Sequence, residues 1–281
     1  MKKTILAVVA IVVTALLLVS CNKPKHKLEE AAEVLSAVPL YIEGDERSDS
    51  KVSFEDSVIY ISIQRNSVLN AWAYDVVGYE WIPEVVFHNL LGGSVPTTML
   101  AGVMETAEGG TPVNDFLDLM TEQQVNFLLN FSGKTFRLTP AEVKELMNKS
   151  TKRHTFAPIA AKQLMMYSEK FSSPDYYETN KNFSMTGATR ENDTLFININ
   201  YYNDTPEHIK DFAQNILFTN LAVPVFCHVN SLVLAFRYHK VTTSGELHSN
   251  TSYSPTDELQ VVPDNILEEA WQKVEEKWKK Q

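Results

Sequence analysis

The sequence predicts an α+β protein with two halves, each an antiparallel sheet packed with helices, and raises the hypothesis that the halves are duplicates. Two strand-like segments, DSVIYISI at 56–63 and DTLFININ at 193–200, are near copies of each other. Each is followed by a helical middle, a second alternating strand and a helix start. Hydrophobic residues make up 44% of the chain, which is ample for a folded core.

The N-terminus has the layout of a secretory signal peptide over residues 1–20. Lys2 and Lys3 precede an apolar run from Ile5 to Val19, and small residues follow it. This order of basic, apolar and small residues is typical of export signals. Because the run is shorter than the ~20 residues that a bilayer-spanning helix needs, the segment predicts export and cleavage rather than a membrane span.

The end of the apolar run, Leu18-Val19-Ser20-Cys21, resembles the lipobox of bacterial lipoproteins. This resemblance implies cleavage before Cys21, a diacylglycerol on its sulfur and an acylated new N-terminus, with palmitate among the attached chains. Each buried CH₂ group contributes ~0.8 kcal/mol, so two or three acyl chains would hold the protein stably on a lipid bilayer. The alternative is a plain signal peptide with an incidental cysteine.

The residues behind Cys21 indicate the side of the membrane. Asn22 stands where inner-membrane retention signals carry an aspartate, and the next residues are basic. Surface-exported lipoproteins of the Bacteroidota tend to have acids at this place, so the resemblance implies the outer membrane, facing the periplasm. Residues 21–37 are predicted to form a lipidated tether and a short helix from Leu28 to Leu35.

Composition restricts the partners of the mature protein. The formal net charge of the full sequence is −10, which becomes more negative when Lys2 and Lys3 are removed with the signal peptide, and no cluster of Lys and Arg is interleaved with aromatic residues. Such a chain repels phosphate backbones, which argues against a nucleic-acid partner. After lipidation of Cys21, Cys227 is the one cysteine left, so no intrachain disulfide can form. We expect Cys227 to pack as a small buried apolar residue.

The first half, residues 38–150, is predicted to begin with a β-hairpin made of Leu40-Tyr41-Ile42 and the strand at 56–63. Two or three short helical pieces follow. The segment VNFLLNF at 125–131 alternates apolar and polar residues, as a half-buried strand does. Behind it, Thr139-Pro140-Ala141-Glu142 has a hydroxyl N-cap, Pro at the first helical position and an acid at the third, which predicts a helix start.

The second half, residues 181–281, follows a connecting helix and linker at 151–180. Its elements are predicted in the same order as those of the first half. They are a hairpin of Phe183-Ser184-Met185 with 193–200, a helix opened by Thr205-Pro206-Glu207-His208, a strand at 230–238, a helix start at Ser254-Pro255-Thr256-Asp257 and a C-terminal amphipathic helix with the apolar stripe Ile266, Trp271, Val274 and Trp278.

The duplication has an inconsistency of register. Aligning Asp56 with Asp193 sets an offset of 137, whereas Ser62 and Asn198, the polar positions of the two strands, differ by 136. Since a slip of one residue turns the buried face of a strand outward, both alignments can hold only with a bulge. The duplication therefore stays a hypothesis.

An aromatic series is the most distinctive feature of the first half. Trp72, Tyr74, Tyr79 and Trp81 fall within ten residues, in the part where the two halves differ most. Aromatic faces beside hydrogen-bonding groups can bind a sugar or line an apolar ligand site. The alternative is that the rings form the core of the first half, as aromatic residues at helical spacing usually do.

Catalytic motifs are lacking. The sequence has no Gly-rich phosphate loop, HExxH, GxSxG, paired CxxC or EF-hand loop. Cys227-His228 with His239 could suggest a thiol nucleophile or a metal site, but the two histidines flank the predicted strand at 230–238 and no third ligand is evident. We therefore expect no catalytic residue, metal or cofactor.

Two short motifs indicate modification. Asp56-Ser57-Val58 and Asp193-Thr194-Leu195 resemble the Asp-Ser/Thr-aliphatic acceptor of the O-glycosylation system of Bacteroidota, which implies glycans on Ser57 and Thr194. The alternative is ordinary turn chemistry, in which the side chain hydrogen-bonds the backbone two residues further on.

These observations predict a membrane-anchored envelope lipoprotein that acts as a non-catalytic binding or scaffold module. Its partners would be the lipid bilayer, through acylated Cys21, and an envelope protein or ligand that the sequence does not identify. The alternative is a periplasmic hydrolase that uses Cys227 and His228 or a pair of carboxylates.

Overall fold

The computed structural model describes most of the chain between His26 and Lys280. The described residues are 26–43, 47–64, 69–106, 108–148, 153–172, 183–201, 211, 215, 217–240 and 258–280. The predicted signal peptide and Cys21 therefore lie outside the described residues, as do Thr205-Pro206-Glu207-His208 and Ser254-Pro255-Thr256-Asp257.

The first half consists of helices and one four-stranded sheet. Its helices are α1 (Lys27–Leu35), α2 (Ala71–Val77), α3 (Ile82–Leu91), α4 (Ser94–Ala101), α5 (Pro112–Glu122) and α6 (Pro140–Asn148). Its strands are β1 (Asp49–Glu55), β2 (Val58–Gln64), β3 (Asn126–Phe131) and β4 (Lys134–Leu138). Helices α2 to α5 fill the connection between β2 and β3.

The second half has the same kinds of element in the same order. It begins with the long helix α7 (Arg153–Ser172), followed by the strands β5 (Phe183–Glu191) and β6 (Thr194–Tyr201). The helix α8 (Ala222–Val229) precedes β7 (Val233–Lys240), and after β8 (Glu258–Val261) the described chain ends with α9 (Asp264–Trp278).

The two sheets have identical topology. The strand orders are β1-β2-β3-β4 and β5-β6-β7-β8. In each sheet the outer pairs are antiparallel and the central pair is parallel. The α+β class with two helix-packed sheets is thus confirmed, but the expectation of a wholly antiparallel sheet needs correction at the central pair. Helices between the two central strands return the chain to the same end of the sheet, which a parallel pair requires.

The turns of the β1–β2 and β5–β6 hairpins determine how the two halves align with each other. Glu55 pairs with Val58 and Glu191 pairs with Thr194, so the two-residue turns are Asp56-Ser57 and Asn192-Asp193. The structural offset is therefore 136, and the two aspartates of the near-identical segments are not equivalent. A bulge does occur, but in β5, between Met185 and Gly187, and it does not reconcile the two alignments.

Some predicted elements lie elsewhere. The partner of the strand at 56–63 is β1, whereas Leu40 forms only an isolated bridge with Ser48. A helix opened at residues 254–257 would continue over β8, which is a strand, and the last helix begins at Asp264 instead. The β1 sequence is mostly polar because this edge strand buries little more than Val52.

Other predictions are confirmed. Thr139 and Glu142 form a reciprocal capping box: the Glu142 carboxylate accepts from the Thr139 backbone N–H at 2.7 Å, and the Thr139 hydroxyl accepts from the Glu142 N–H at 3.2 Å. The backbone N–H and the hydroxyl of Thr139 both donate to the Glu142 carboxylate, and these two hydrogen bonds lower the pKa of this exposed carboxyl group. In α9 the predicted stripe packs against the core, beside the buried Leu267 and Ala270.

Alternate residues of the central strands form the core. Ile61 of β2 lies beside Leu129 of β3, and Ile197 of β6 lies beside Phe236 of β7, all of them buried. On the other face of the first sheet Ser62 is exposed. In the first half the alternation of the strand sequences therefore gives one buried apolar side. In β6 of the second half the alternate residues Asn198 and Asn200 are buried as well, so both faces of that strand are covered there.

The turn of the first hairpin provides a stability test. Asp56 and Ser57 have φ angles of 49° and 60°, a conformation that costs residues other than glycine ~1–2 kcal/mol. The equivalent place in the β3–β4 turn is Gly133, with φ 86°. We expect Ser57→Gly to raise the free energy of unfolding by about 0.5–1 kcal/mol, measured by guanidinium denaturation.

The matched control is the equivalent residue of the second hairpin. Of its two turn residues only Asn192 has a positive φ, so Asp193→Gly is expected to be neutral or destabilising by about 0.5–1 kcal/mol. Equal stabilisation by both substitutions would contradict the assigned turn geometry and the offset of 136.

Candidate functional site

The aromatic series occupies α2, the turn after it and the start of α3. The Asn70 side chain caps α2 by accepting from the Ala73 backbone N–H at 2.9 Å, and Gly78, with φ 78°, ends the helix. Three rings then stack nearly parallel: Tyr74 lies 5.2 Å from Tyr79 and 6.2 Å from Trp81 between ring centroids. The turn at Gly78 makes this stacking possible, since only a sharp reversal brings the three rings together.

The four aromatic residues have different environments. Tyr74 is wholly buried and Trp81 is 2% exposed, so the core interpretation holds for these two rings. Trp72 and Tyr79 are half-buried against the core. The expectation that Trp81 borders a ligand site is therefore at odds with its burial, while Tyr79 has an accessible face.

A cleft lies between this turn and the β3–β4 hairpin. Its volume is about 440 Å³, and it is open to solvent. One wall comes from the end of α2 and the following turn, and the other from the start of β4. The lining residues are Tyr74, Asp75, Gly78, Tyr79, Glu80, Lys134, Thr135 and Phe136. Of the four predicted ligand-binding residues, Tyr79 presents surface to this cavity, and the wholly buried Tyr74 lies behind it.

Charged residues line the cleft together with Tyr79. The Lys134 ammonium lies 4.9 Å from the ring centroid, a cation–π contact across the cleft. Asp75 and Glu80 contribute carboxylates to the lining. The Arg190 guanidinium of β5 lies 3.7 Å from the Glu80 carboxylate, and the Glu80 side chain is 68% exposed. The Arg190 side chain is only 24% exposed, so its guanidinium offsets part of the negative charge of Glu80.

A buried carboxyl group lies behind the cleft. Glu43 is wholly buried, and its Oε1 accepts a hydrogen bond from the Tyr74 hydroxyl. Its other oxygen, Oε2, has no hydrogen-bond partner in the described part of the chain. Burying a polar group without a partner is costly. Sequence reasoning missed Glu43 because one acid after the apolar Leu40-Tyr41-Ile42 resembles any turn residue.

Trp72 joins the two halves and lies outside the cleft lining. Its indole N–H donates to the Ala188 carbonyl oxygen of β5 at 3.0 Å. Gly187 lies beneath the ring: a Cβ there would stand 3.3 Å from Trp72. Arg190 also donates to the Val77 carbonyl oxygen at 3.4 Å. These contacts indicate a structural role for Trp72.

Cys227 and its neighbouring histidines do not form a nucleophilic site. Cys227 lies in α8, wholly buried, and this burial raises the pKa of its thiol far above neutral pH. A thiol of that kind supplies almost no thiolate, which is the reactive form. His228 also belongs to α8, where it stacks on Trp271 at 6.1 Å, rather than flanking the strand as predicted, and His239 lies within β7. Among the described residues, no group of three or more His, Cys, Asp and Glu could hold a metal ion.

The two predicted glycosylation residues occupy different positions. Ser57 is the exposed second residue of the first turn. Thr194 is the first residue of β6, half-buried, and it lies between Glu191 and Val233 in the sheet. An enzyme would reach Ser57 more easily than Thr194. Glycosylation of both stays a prediction.

The burial of the stacked rings gives a mutational test. Trp81→Ala is expected to lower the free energy of unfolding by about 3–5 kcal/mol, as removal of a core tryptophan does. Tyr79→Ala should lower it by only on the order of 1 kcal/mol, since one face of that ring borders the cleft. Denaturant titration of both variants measures the difference. Equal, large losses would show that Tyr79 is a core ring and that the cleft has no accessible aromatic wall.

Comparison with known proteins adds no relative to this geometry. No protein-family model matches the chain, and neither a curated protein sequence nor a solved structure matches it. The functional interpretation therefore rests on the cleft itself and on the N-terminal sequence.

Proposed function

We propose that this protein is a lipid-anchored lipoprotein of the cell envelope that acts as a non-catalytic binding module, with the cleft as its binding site. The observation that carries the proposal is the accessible Tyr79 ring in a cavity of about 440 Å³. That volume falls within the range of ~300–1,000 Å³ that is usual for small-molecule sites. The stacked Tyr74 and Trp81 hold the Tyr79 ring in a fixed orientation, which favours binding because little order has to be gained.

Anchoring through Cys21 would hold the folded body close to the bilayer. Helix α1 begins at Lys27 and buries Leu28 and Leu35 in the core. The chain from Cys21 to Lys27 can span at most ~3.6 Å per residue, so its reach is on the order of 20 Å. The first half, which contains the cleft, would therefore face a partner at the membrane surface or within a short distance of it.

The outer membrane, facing the periplasm, is the proposed location because the residues behind Cys21 are basic and Asn22 replaces a retention aspartate. Within the described residues, no helix has both the length and the apolar character for crossing a bilayer. Attachment is thus proposed on the lipobox resemblance alone.

The hydrolase alternative has less support. Cys227 is buried and its thiol pKa is raised, which disfavours a thiolate nucleophile. Of the acid-rich helix faces, Glu142 is engaged in capping Thr139, and Glu268 accepts from Gln272 on the exposed side of α9. Neither of these carboxylates lines the cleft. The two acids that do, Asp75 and Glu80, are exposed, and Glu80 is paired with Arg190, so neither has the apolar setting that keeps a carboxyl group protonated as a general acid.

Anchoring is tested at the cysteine. Cys21→Ser removes the sulfur that would receive the diacylglycerol, so the variant should remain an unprocessed precursor or be released in soluble form. Fractionation of cells into membrane and soluble parts, with mass spectrometry of the N-terminus, measures the outcome. The matched control is Cys227→Ser, which should leave the membrane fraction unchanged. Unaltered membrane attachment and processing of the Cys21 variant would refute lipidation.

The binding role is tested by photo-crosslinking in intact cells. Phe136 is half-buried in the cleft lining, whereas its neighbour Arg137 is exposed on the opposite side of the strand. A benzophenone amino acid at position 136 should give a reproducible adduct under ultraviolet light, and the same amino acid at position 137 should not. Adducts at neither position, or equally at both, would count against the cleft as the binding site.

A further inference from the structure

We propose that the cleft binds an organic cation, with an ammonium group held against the Tyr79 ring between the carboxylates of Asp75 and Glu80. This inference rests on the proposed binding function and specifies the ligand class of the same site. It follows from three features of the described residues: a cation already on the ring, an excess of acids in the lining, and the stacked rings behind Tyr79.

The first feature is the position of Lys134. Its ammonium lies 4.9 Å from the centroid of Tyr79, and Lys134 is an exposed residue at the start of β4, directly after the Ser132-Gly133 turn. The chain thus places a primary ammonium group on the face of the ring that borders the cleft. A ring face that attracts this internal cation has the electrostatic character to attract an external one.

The second feature is the charge of the lining. Asp75 and Glu80 supply two carboxylates and Lys134 supplies one ammonium group. If the flexible Lys134 side chain moves aside, the carboxylates of Asp75 and Glu80 remain in the lining, the second of them paired with Arg190. A cationic ligand would then replace the ammonium of Lys134 on the ring and gain the two carboxylates, while an anionic ligand would be repelled.

The third feature is the support behind the ring. Tyr74 stacks on Tyr79 with an interplanar angle of 16°, and Trp81 lies parallel to Tyr74 within 5°. The Tyr74 hydroxyl donates to the buried Glu43 carboxyl group, which increases the electron density of the Tyr74 ring. Stacked electron-rich rings strengthen the negative potential at the outer face of Tyr79. Glu43 therefore has a role in the site although it does not border the cleft.

The probe is tetramethylammonium chloride, titrated at constant ionic strength into the soluble Cys21→Ser protein while the amide signals of Gly78 and Thr135 are followed by NMR. We expect saturable shifts with a millimolar Kd. Sodium acetate, the anionic comparison, should give no saturable shift. Absence of saturation with the cation would overturn the proposal.

Two variants separate ring binding from simple charge attraction. Lys134→Ala removes the internal competitor, so binding should become about two- to fivefold tighter, whereas Lys144→Ala, an exposed lysine of α6, should leave the Kd unchanged. Tyr79→Leu should abolish saturation while Tyr79→Phe, which keeps the ring, should retain it. Weaker or equal binding by Lys134→Ala, or loss of binding in Tyr79→Phe, would overturn the proposal.

The result can be told apart from failure of the proposed function. If photo-crosslinking at position 136 succeeds and tetramethylammonium does not bind, the cleft remains a binding site and the ligand class is wrong. If both experiments fail, the cleft is not a binding site, and the inference falls with the proposed function.

Discussion

The parallel pairing of the two central strands in each sheet is the constraint on which the rest of the structure depends. A parallel pair cannot be closed by a tight turn, so β2 and β3 need a long connection, and β6 and β7 need another. In the first half this connection is the run of helices α2 to α5, which contains the aromatic series. The cleft exists because the first of these helices ends at Gly78, beside the β3–β4 hairpin.

The same connection joins the two halves. The indole of Trp72 donates to Ala188 of β5, and Arg190 of β5 donates to Val77 at the end of α2. On its other side the Tyr74 ring of α2 lies 5.6 Å from Phe131 of β3, so the helix contacts both its own sheet and the edge of the second sheet. A cleft wall supported in this way would lose little freedom on binding a ligand, which suits the proposed binding function. Trp72, predicted as a ligand residue, thus contributes by positioning the wall.

Sequence reasoning identified the elements that follow from periodicity and capping. The alternating strands at 125–131 and 230–238, the capping box at Thr139 and the helix at the C-terminus all follow from local patterns. The relative direction of two strands does not follow from local patterns, because apolar and polar residues alternate in the same way in parallel and antiparallel pairs. The mostly polar edge strand β1 gave too weak a signal. Glu43 could not be recognised, since its burial depends on contacts with Tyr74 that are distant in sequence.

The repeated topology favours an origin by duplication, and the differences between the halves account for the position of the cleft in the first. At the structural offset of 136, the buried positions Ile59, Ile61 and Ile63 correspond to Leu195, Ile197 and Ile199. The hairpins that follow differ: two residues connect β3 to β4, whereas residues 241–257 connect β7 to β8. Lys134 lies over Tyr79 because the turn between β3 and β4 has only two residues. Among its described residues the second half keeps the sheet and its core, while its sequence lacks the two-residue turn and the aromatic series that form the cleft of the first half.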